Sequence, residues 1–164
     1  MIELRSISER HLQDVQRYLS DPSISATSNV PFPYPEDGAV SWMSDVKVRE
    51  CSNQSKVFAV EQNGKFVGVV SLNQIDLKSK SAHIDYWIAA EHQGNGYATI
   101  AVSKAIEYAN VFLLVTNFYS SCLASNTQSI RVLEKNRFSK ISDSLISDGR
   151  FKGLRLCKME RLKS

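Results

Sequence analysis

Apolar residues along this chain switch between a two-residue and a helical period, and the switches divide it into elements. Ile2 to Ile7 alternates apolar and polar positions, which predicts a half-buried strand. Ser8 then stands as a helix N-cap, with Leu12, Val15, Gln16 and Leu19 following at helical spacing. All four prolines fall between Pro22 and Pro35, and Pro31-Phe32-Pro33-Tyr34-Pro35 predicts an extended surface loop carrying two aromatics. A second helix is expected from about Pro35 to near Glu50, with Val40, Met43 and Val46 on its apolar stripe. Val57–Val60 and Phe66–Leu72 flank Asn63-Gly64, a strong hairpin signal. A third strand, Ser81 to Ala89, follows the polar turn at residues 76–80.

The most regular helix comes next. Ala98, Ala101, Val102, Ala105, Ile106 and Ala109 form one continuous apolar face. A strand is predicted from about Leu113 to Leu123, then a short helix opening near Ser125-Asn126 and ending before Phe138. Asp148-Gly149 marks the turn region of a terminal hairpin. There are no repeats and no linker, so the order predicts one domain over residues 1–164. It is a mixed α/β (α+β) architecture, a single sheet layer with helices on its faces.

Composition narrows the function classes. At 164 residues, 43% hydrophobic and 23% charged, the chain has the makeup of a soluble globular domain. Twenty basic against seventeen acidic residues give a mild, dispersed +3 charge. That argues against nucleic-acid binding, which favours a concentrated basic stripe, but suits an anionic ligand. Cys51, Cys122 and Cys157 are odd in number and lack CxxC spacing, so neither a disulfide framework nor a metal site is expected. The start lacks a signal-peptide pattern and no apolar run reaches membrane-spanning length. The expectation is a reduced cytoplasmic protein with no membrane partner, monomeric or homodimeric.

Glu91-His92-Gln93-Gly94-Asn95-Gly96 joins the third strand to the regular helix. Two glycines at a helix start admit close approach of a ligand, and the exposed N–H groups with the helix dipole favour a phosphate. Taken alone, the pair would more often be a tight turn. A dinucleotide fingerprint fails because Thr99 stands where its third small residue belongs, and a P-loop fails because Tyr97-Ala98 replace Lys-Ser/Thr.

The linked motifs resemble the GNAT acetyltransferase superfamily, specifically its RimJ/RimL-like branch. Gln93-Gly94-Asn95-Gly96-Tyr97-Ala98 is similar to the family's Gln/Arg-x-x-Gly-x-Gly/Ala pyrophosphate motif. The strand Ala82-His83-Ile84-Asp85-Tyr86-Trp87-Ile88 resembles the branch's Ala-Glu-Ile-Gly-Tyr-Trp-Leu. Residues Asn126 to Phe138 resemble its Asn-x-x-Ser-x-Arg-Val-Leu-Glu-Lys-x-Gly-Phe; the spacing between blocks, the total length and the proline-rich segment ahead of the second helix also fit, so the likeness covers nearly the whole chain.

That resemblance implies a mostly antiparallel central sheet with a V-shaped split between two central strands, holding acetyl-CoA as co-substrate without a metal. It implies that the backbone of Trp87, Ile88 and Ala89 pairs with the pantetheine arm, as an added strand would. Gln93, Gly94, Asn95, Gly96, Tyr97 and Ala98 would hold the pyrophosphate, Asn126 the pantetheine, and Ser129 would lie by the thioester sulfur. Arg131 and Lys135 would either meet CoA phosphates or form a solvated helix face.

The implied reaction is direct acetylation of an amine, a protein N-terminus or alternatively a small amine such as a polyamine or antibiotic. A non-catalytic CoA-binding module is the reading from another class. His83 occupies a position that often carries a general-base glutamate, and Asp85 shares its strand face. His83 would take the amine proton, directly or through water, with Asp85 beside it as a further catalytic candidate, or His83 is an ordinary half-buried strand histidine. Leu133 replaces the tyrosine acid of many relatives, which leaves Ser129 as a thiolate donor or as a serine bonded to its own helix backbone. Arg137 stands where the family prefers a helix-ending glycine, which implies a left-handed residue or a different helix end.

Overall fold

In the computed structural model, which describes residues 1–163, seven strands form one sheet ordered β1-β2-β3-β4-β5-β7-β6. Strands β1 (Ile2–Ser6), β2 (Lys56–Gln62), β3 (Lys65–Asp76) and β4 (Ser81–Ile88) pair antiparallel in succession. Asn63 and Gly64 take φ of 52° and 82°, the left-handed pair that a tight β2–β3 hairpin requires. Strand β5 (Asn117–Leu123) joins β4 in parallel, and the terminal hairpin of β6 (Ser139–Leu145) and β7 (Arg155–Arg161) completes the sheet. This is the expected mixed, mostly antiparallel sheet.

Helices cover both faces. Helix α1 (Leu12–Leu19), the short α2 (Pro22–Ser25) and α3 (Gly38–Cys51) pack on one face around Val15, Leu19, Met43, Val46 and Val69. On the other, α4 (Tyr97–Tyr108) and α5 (Thr127–Lys135) bury Ala101, Val102, Ala105, Ile106 and Leu133 against Val67, Val70, Ile84 and Phe118. Alternate residues of β4 therefore serve opposite cores, and His83, Asp85 and Trp87 share the α1–α3 face.

Four local expectations are refined. Ser8 precedes a 3-10 turn at Glu9–His11 rather than α1 itself, with its N–H donating to His11 Nδ1 at 3.0 Å. Helix α3 begins at Gly38, not Pro35. The Pro35 carbonyl accepts the Gly38 N–H, and Gln16 Oε1 receives the Ala39 N–H while Gln16 Nε2 donates to the Pro35 carbonyl. The expected strand start at Leu113 is taken by a π-helical turn, Ala109–Leu113, which ends on left-handed Leu114, and β5 starts only at Asn117. Apolar residues in that turn mimic a strand in the pattern, yet Val111 and Phe112 are exposed. Arg137 adopts the left-handed conformation (φ 68°), and Phe138 N–H donates back to the Leu133 carbonyl, so the arginine fills the glycine-type cap despite its steric cost.

Strands β4 and β5 pair only over residues 81–83 and 117–119. Beyond that point β4 continues to Ile88 and β5 to Leu123 without pairing, so the sheet opens into a wedge. The side chain of Ser120 spans the apex, donating to the Ile84 carbonyl at 2.8 Å.

Candidate active site

The wedge leads into a cleft of about 1220 Å³. Its floor at one end is the loop between β4 and α4. Gly94 and Gly96 take φ of 83° and 77°, and an added Cβ at either would meet nothing within 4 Å. Glycine is needed there for backbone conformation, not for room. The first helical hydrogen bond of α4 runs from Ile100 N–H to the Gly96 carbonyl, leaving the N–H groups of Tyr97, Ala98 and Thr99 facing the loop. The result is a set of free N–H groups at the positive end of a 12-residue helix, an arrangement that can receive an anion. Gln93 points back from the loop, its Nε2 donating to the Ile88 carbonyl at 2.9 Å. Asn95 is exposed and bonds the His92 carbonyl at 3.1 Å rather than lining the cleft.

The rim of β4 is divided by strand pairing. Trp87 and Ile88 line the cleft, but Ala89 is fully buried and its N–H donates to the Val67 carbonyl across β3. Gly68 permits this close β3–β4 contact, since a Cβ there would collide with the Trp87 carbonyl oxygen.

The opposite wall is the start of α5. Asn126 caps it, Oδ1 accepting the Ser129 N–H at 3.2 Å. Ser129 Oγ lies 2.5 Å from the Tyr86 hydroxyl, which also donates to the Ser129 carbonyl at 3.2 Å. Burial pushes the Tyr86 phenol well above the usual tyrosine value, outweighing the Ser129 bond that lowers it. Tyr86 thus keeps its proton, within reach of both the Ser129 carbonyl and Ser129 Oγ. Burial, reinforced by neighbouring Cys157, raises the Cys122 thiol to about 11, against a lowering bond with Ser129. Sequence reasoning passed over Tyr86. Its partner lies 43 residues on, and only a strand residue whose face points at a helix start, not a local spacing, signals the pair. Arg131 and Lys135 both line the cleft, on the outer side of α5.

The third wall carries the titratable pair. Asp85 lines the main cleft together with Arg49, Ser71 and Asn73. His83 does not. It lines a separate side hollow of about 490 Å³, with its Nδ1 3.8 Å from Asp85 Oδ2. The structure brings Asp85 and Ser129 into one cleft and sets His83 behind Asp85.

Two loops close the far end, residues 26–37 and 146–154. Arg150 Nη2 donates to the carbonyls of Ser25, Ser28 and Val30 at 3.0, 3.0 and 2.8 Å, strapping one to the other. Tyr34 and Trp42 line this end, whereas Phe32 is 58% exposed and lies outside it.

Among the described residues, no helix is long and apolar enough to cross a membrane, and no cluster of three or more His, Cys, Asp or Glu could hold a metal ion. The family described as "Acetyltransferase (GNAT) domain" matches residues 2–139. A ribosomal-protein-serine acetyltransferase of Escherichia coli (strain K12) is 24% identical over 141 residues, covering 84% of this chain and 78% of that protein. Among solved structures, Mycobacterium smegmatis RimJ in complex with CoA-disulfide superposes with a TM-score of 0.89 at 17% identity, covering 98% of this chain and 81% of that one. Spermidine N-acetyltransferase from Vibrio cholerae, in complex with CoA and spermine, gives 0.84 at 21% identity, covering 98% and 95%. Both structural likenesses are likenesses of fold.

Proposed function

The chain belongs to the GNAT acetyltransferase family, and from that premise we propose that it transfers an acetyl group from acetyl-CoA to the α-amine of a protein or peptide. The donor half is supported by the α4 cradle and by relatives whose structures hold CoA or its disulfide. In this reading the N–H groups of Tyr97, Ala98 and Thr99, with the Gly94–Gly96 backbone, meet the pyrophosphate. Arg131 and Lys135 add positive charge beside it. The Tyr86–Ile88 edge and Asn126 receive the pantetheine arm inside the wedge.

Asp85 accepts the proton of the attacking amine, directly or through one water, with His83 behind it. The new bond joins the amine nitrogen to the acetyl carbonyl carbon, and the carbon–sulfur bond breaks. Ser129, backed by the Tyr86 hydroxyl, donates to the departing sulfur. Tyr86 holds its proton too firmly to surrender it, so the pair stabilises negative charge and the proton that finally reaches the thiolate comes from elsewhere.

The observation that carries the acceptor assignment is the poverty of carboxylates in the cleft. Relatives include spermidine N(1)-acetyltransferases, and a polyamine, being several cations in a row, is best held by several carboxylates. Among the described residues Asp85 and Asp148 are the carboxylates that line the cleft, and, apart from Arg131 and Lys135 beside the pyrophosphate, Arg49 and Arg150 line it as cations. Glu36, Asp37 and Asp45 lie outside it. That balance favours a single amine on a larger, largely neutral body. The test is incubation with acetyl-CoA and a set of peptides alongside spermidine. One acetyl group on a peptide α-amine is expected. Modification of spermidine alone would refute the acceptor, and binding of acetyl-CoA without turnover on any amine would make the protein a CoA-binding module.

A further inference from the structure

We propose that the polar hollow beside Asp85 is a specificity pocket for an acidic first residue of the acceptor peptide. This rests on the α-amine reading of the main cleft and asks which amines enter it.

The hollow adjoins the cleft, and Arg49, Asn73 and Asp85 line both. Its remaining walls, Gln54, Ser55, Gln74 and His83, are polar as well. An apolar side chain entering it would strip water from these groups and return no hydrogen bonds. Asn73 is fully committed. Its Oδ1 accepts from Arg49 Nη1 at 3.0 Å and Ser55 Oγ at 2.9 Å, and its Nδ2 donates to Ser71 Oγ at 3.0 Å and Asp85 Oδ2 at 2.8 Å. A flipped carboxamide would set its N–H against the guanidinium and its oxygen against the carboxylate, so the orientation is determined by the network.

The carboxamide holds a cation and an anion at a set spacing, one amide group apart. Asp85 Oδ1 remains open for the acceptor amine. Among the described residues, Arg49 donates only through Nη1, and no carboxylate lies within 4.0 Å of it. Arg49 lines the hollow, and its remaining N–H groups are donors suited to a carboxylate. The complementary ligand presents an ammonium to Asp85 and a carboxylate to Arg49, about one short side chain apart. A peptide beginning with Asp or Glu has that form. The N-terminal amine sits at the reaction centre and the side-chain carboxylate turns into the hollow.

The experiment compares kcat/KM for peptides differing only in the first residue, Asp against Asn and Glu against Gln. The acidic member of at least one pair is expected to be preferred on the order of 10-fold, the scale of one charge-assisted hydrogen bond. In Arg49→Gln that ratio should fall towards unity, and in Arg49→Lys part of it should survive, because the charge remains without the fork. The wild-type ratio needs no variant, so a misfolded Arg49→Gln protein does not decide the matter. Equal rates, or a preference for the amides, would overturn the pocket and leave α-amine acetylation standing. Acetylation of no peptide, with acetyl-CoA still bound, would overturn both.

Discussion

Replacing Tyr86 by phenylalanine removes one oxygen atom and leaves the ring packing in place. The hydroxyl it removes lies 2.5 Å from Ser129 Oγ. In the resting enzyme this is a neutral hydrogen bond, with a net value of about 1 kcal/mol, and its loss should lower stability by that amount. In the proposed reaction, Ser129 donates to a sulfur gaining negative charge as the carbon–sulfur bond breaks. The Tyr86–Ser129 bond then becomes part of a charge-assisted chain about twice as strong. Only the difference, about 1 kcal/mol, acts on catalysis, since a bond equally strong in both states changes no rate. That corresponds to a roughly 5-fold fall in kcat. The acetyl-CoA KM should change little, because the hydroxyl faces α5 rather than the pyrophosphate loop. The assay is steady-state release of the CoA thiol at saturating peptide. It is run on wild type, Tyr86→Phe, Ser129→Ala and the double variant. If Tyr86 acts through Ser129, it costs nothing further once Ser129 is alanine. An unchanged 5-fold loss in the Ser129→Ala background would falsify the relay, as would a Tyr86→Phe rate equal to wild type.

Four further outcomes are expected. Gly96→Ala should lose about 1–2 kcal/mol of stability to its left-handed backbone, since the site has room for a methyl group. It should also raise the acetyl-CoA KM as the cradle relaxes, readable by thermal melts and kinetics. Gly68→Ala should cost about 1–3 kcal/mol for another reason, the collision with the Trp87 carbonyl, which forces β3 and β4 apart. Arg150→Ala should raise the acceptor KM while sparing that of acetyl-CoA, because three carbonyls of the 25–30 segment lose their strap; equal effects on both would refute its local role. The Glu61 carboxyl is pushed up by burial, but the His11 hydrogen bond and the charge and hydrogen bond of Arg10 outweigh this and hold it below its ordinary value of 4.5. A depressed folded-state value gives stability that is present above the unfolded-state value and lost as pH falls through the folded one. Wild type should therefore lose more stability than Glu61→Gln on acidification below about pH 4.5, measured by melting temperature against pH.

Strand and helix periods, the Asn63-Gly64 turn, the Gly94–Gly96 loop and the Asn126 cap were legible because each depends on neighbours a few residues away. A left-handed φ at Gly96 or a side chain accepting the N–H three residues on is a local event, written in local spacing. The same reasoning misplaced the start of β5, expected at about Leu113 and found at Asn117. Val111, Phe112 and Leu113 carry a strand's composition, yet β4 offers β5 a partner only from Asn117 onward. Pairing comes from the partner, and the segment before it continued as a π-helical turn.

Within the candidate site, residue types were legible and their partnerships were not. His83 and Asp85 share a strand face by the two-residue period, and the sequence by itself determines that much. Which of them faces the cleft depends on where β5 leaves β4 and where α3 ends, and that gives the cleft to Asp85 and the side hollow to His83. Tyr86 meets Ser129, Arg49 meets Asn73, and Arg150 meets the 25–30 loop across separations of 43, 24 and at least 120 residues. Local propensity extends about one helical turn or one hairpin, whereas these contacts exist only once two cores have packed on opposite faces of one sheet. The sequence alone therefore determines most of the elements and the two-glycine loop ahead of α4. The tertiary structure decides which charges meet at the acceptor end, because that depends on packing across the whole sheet.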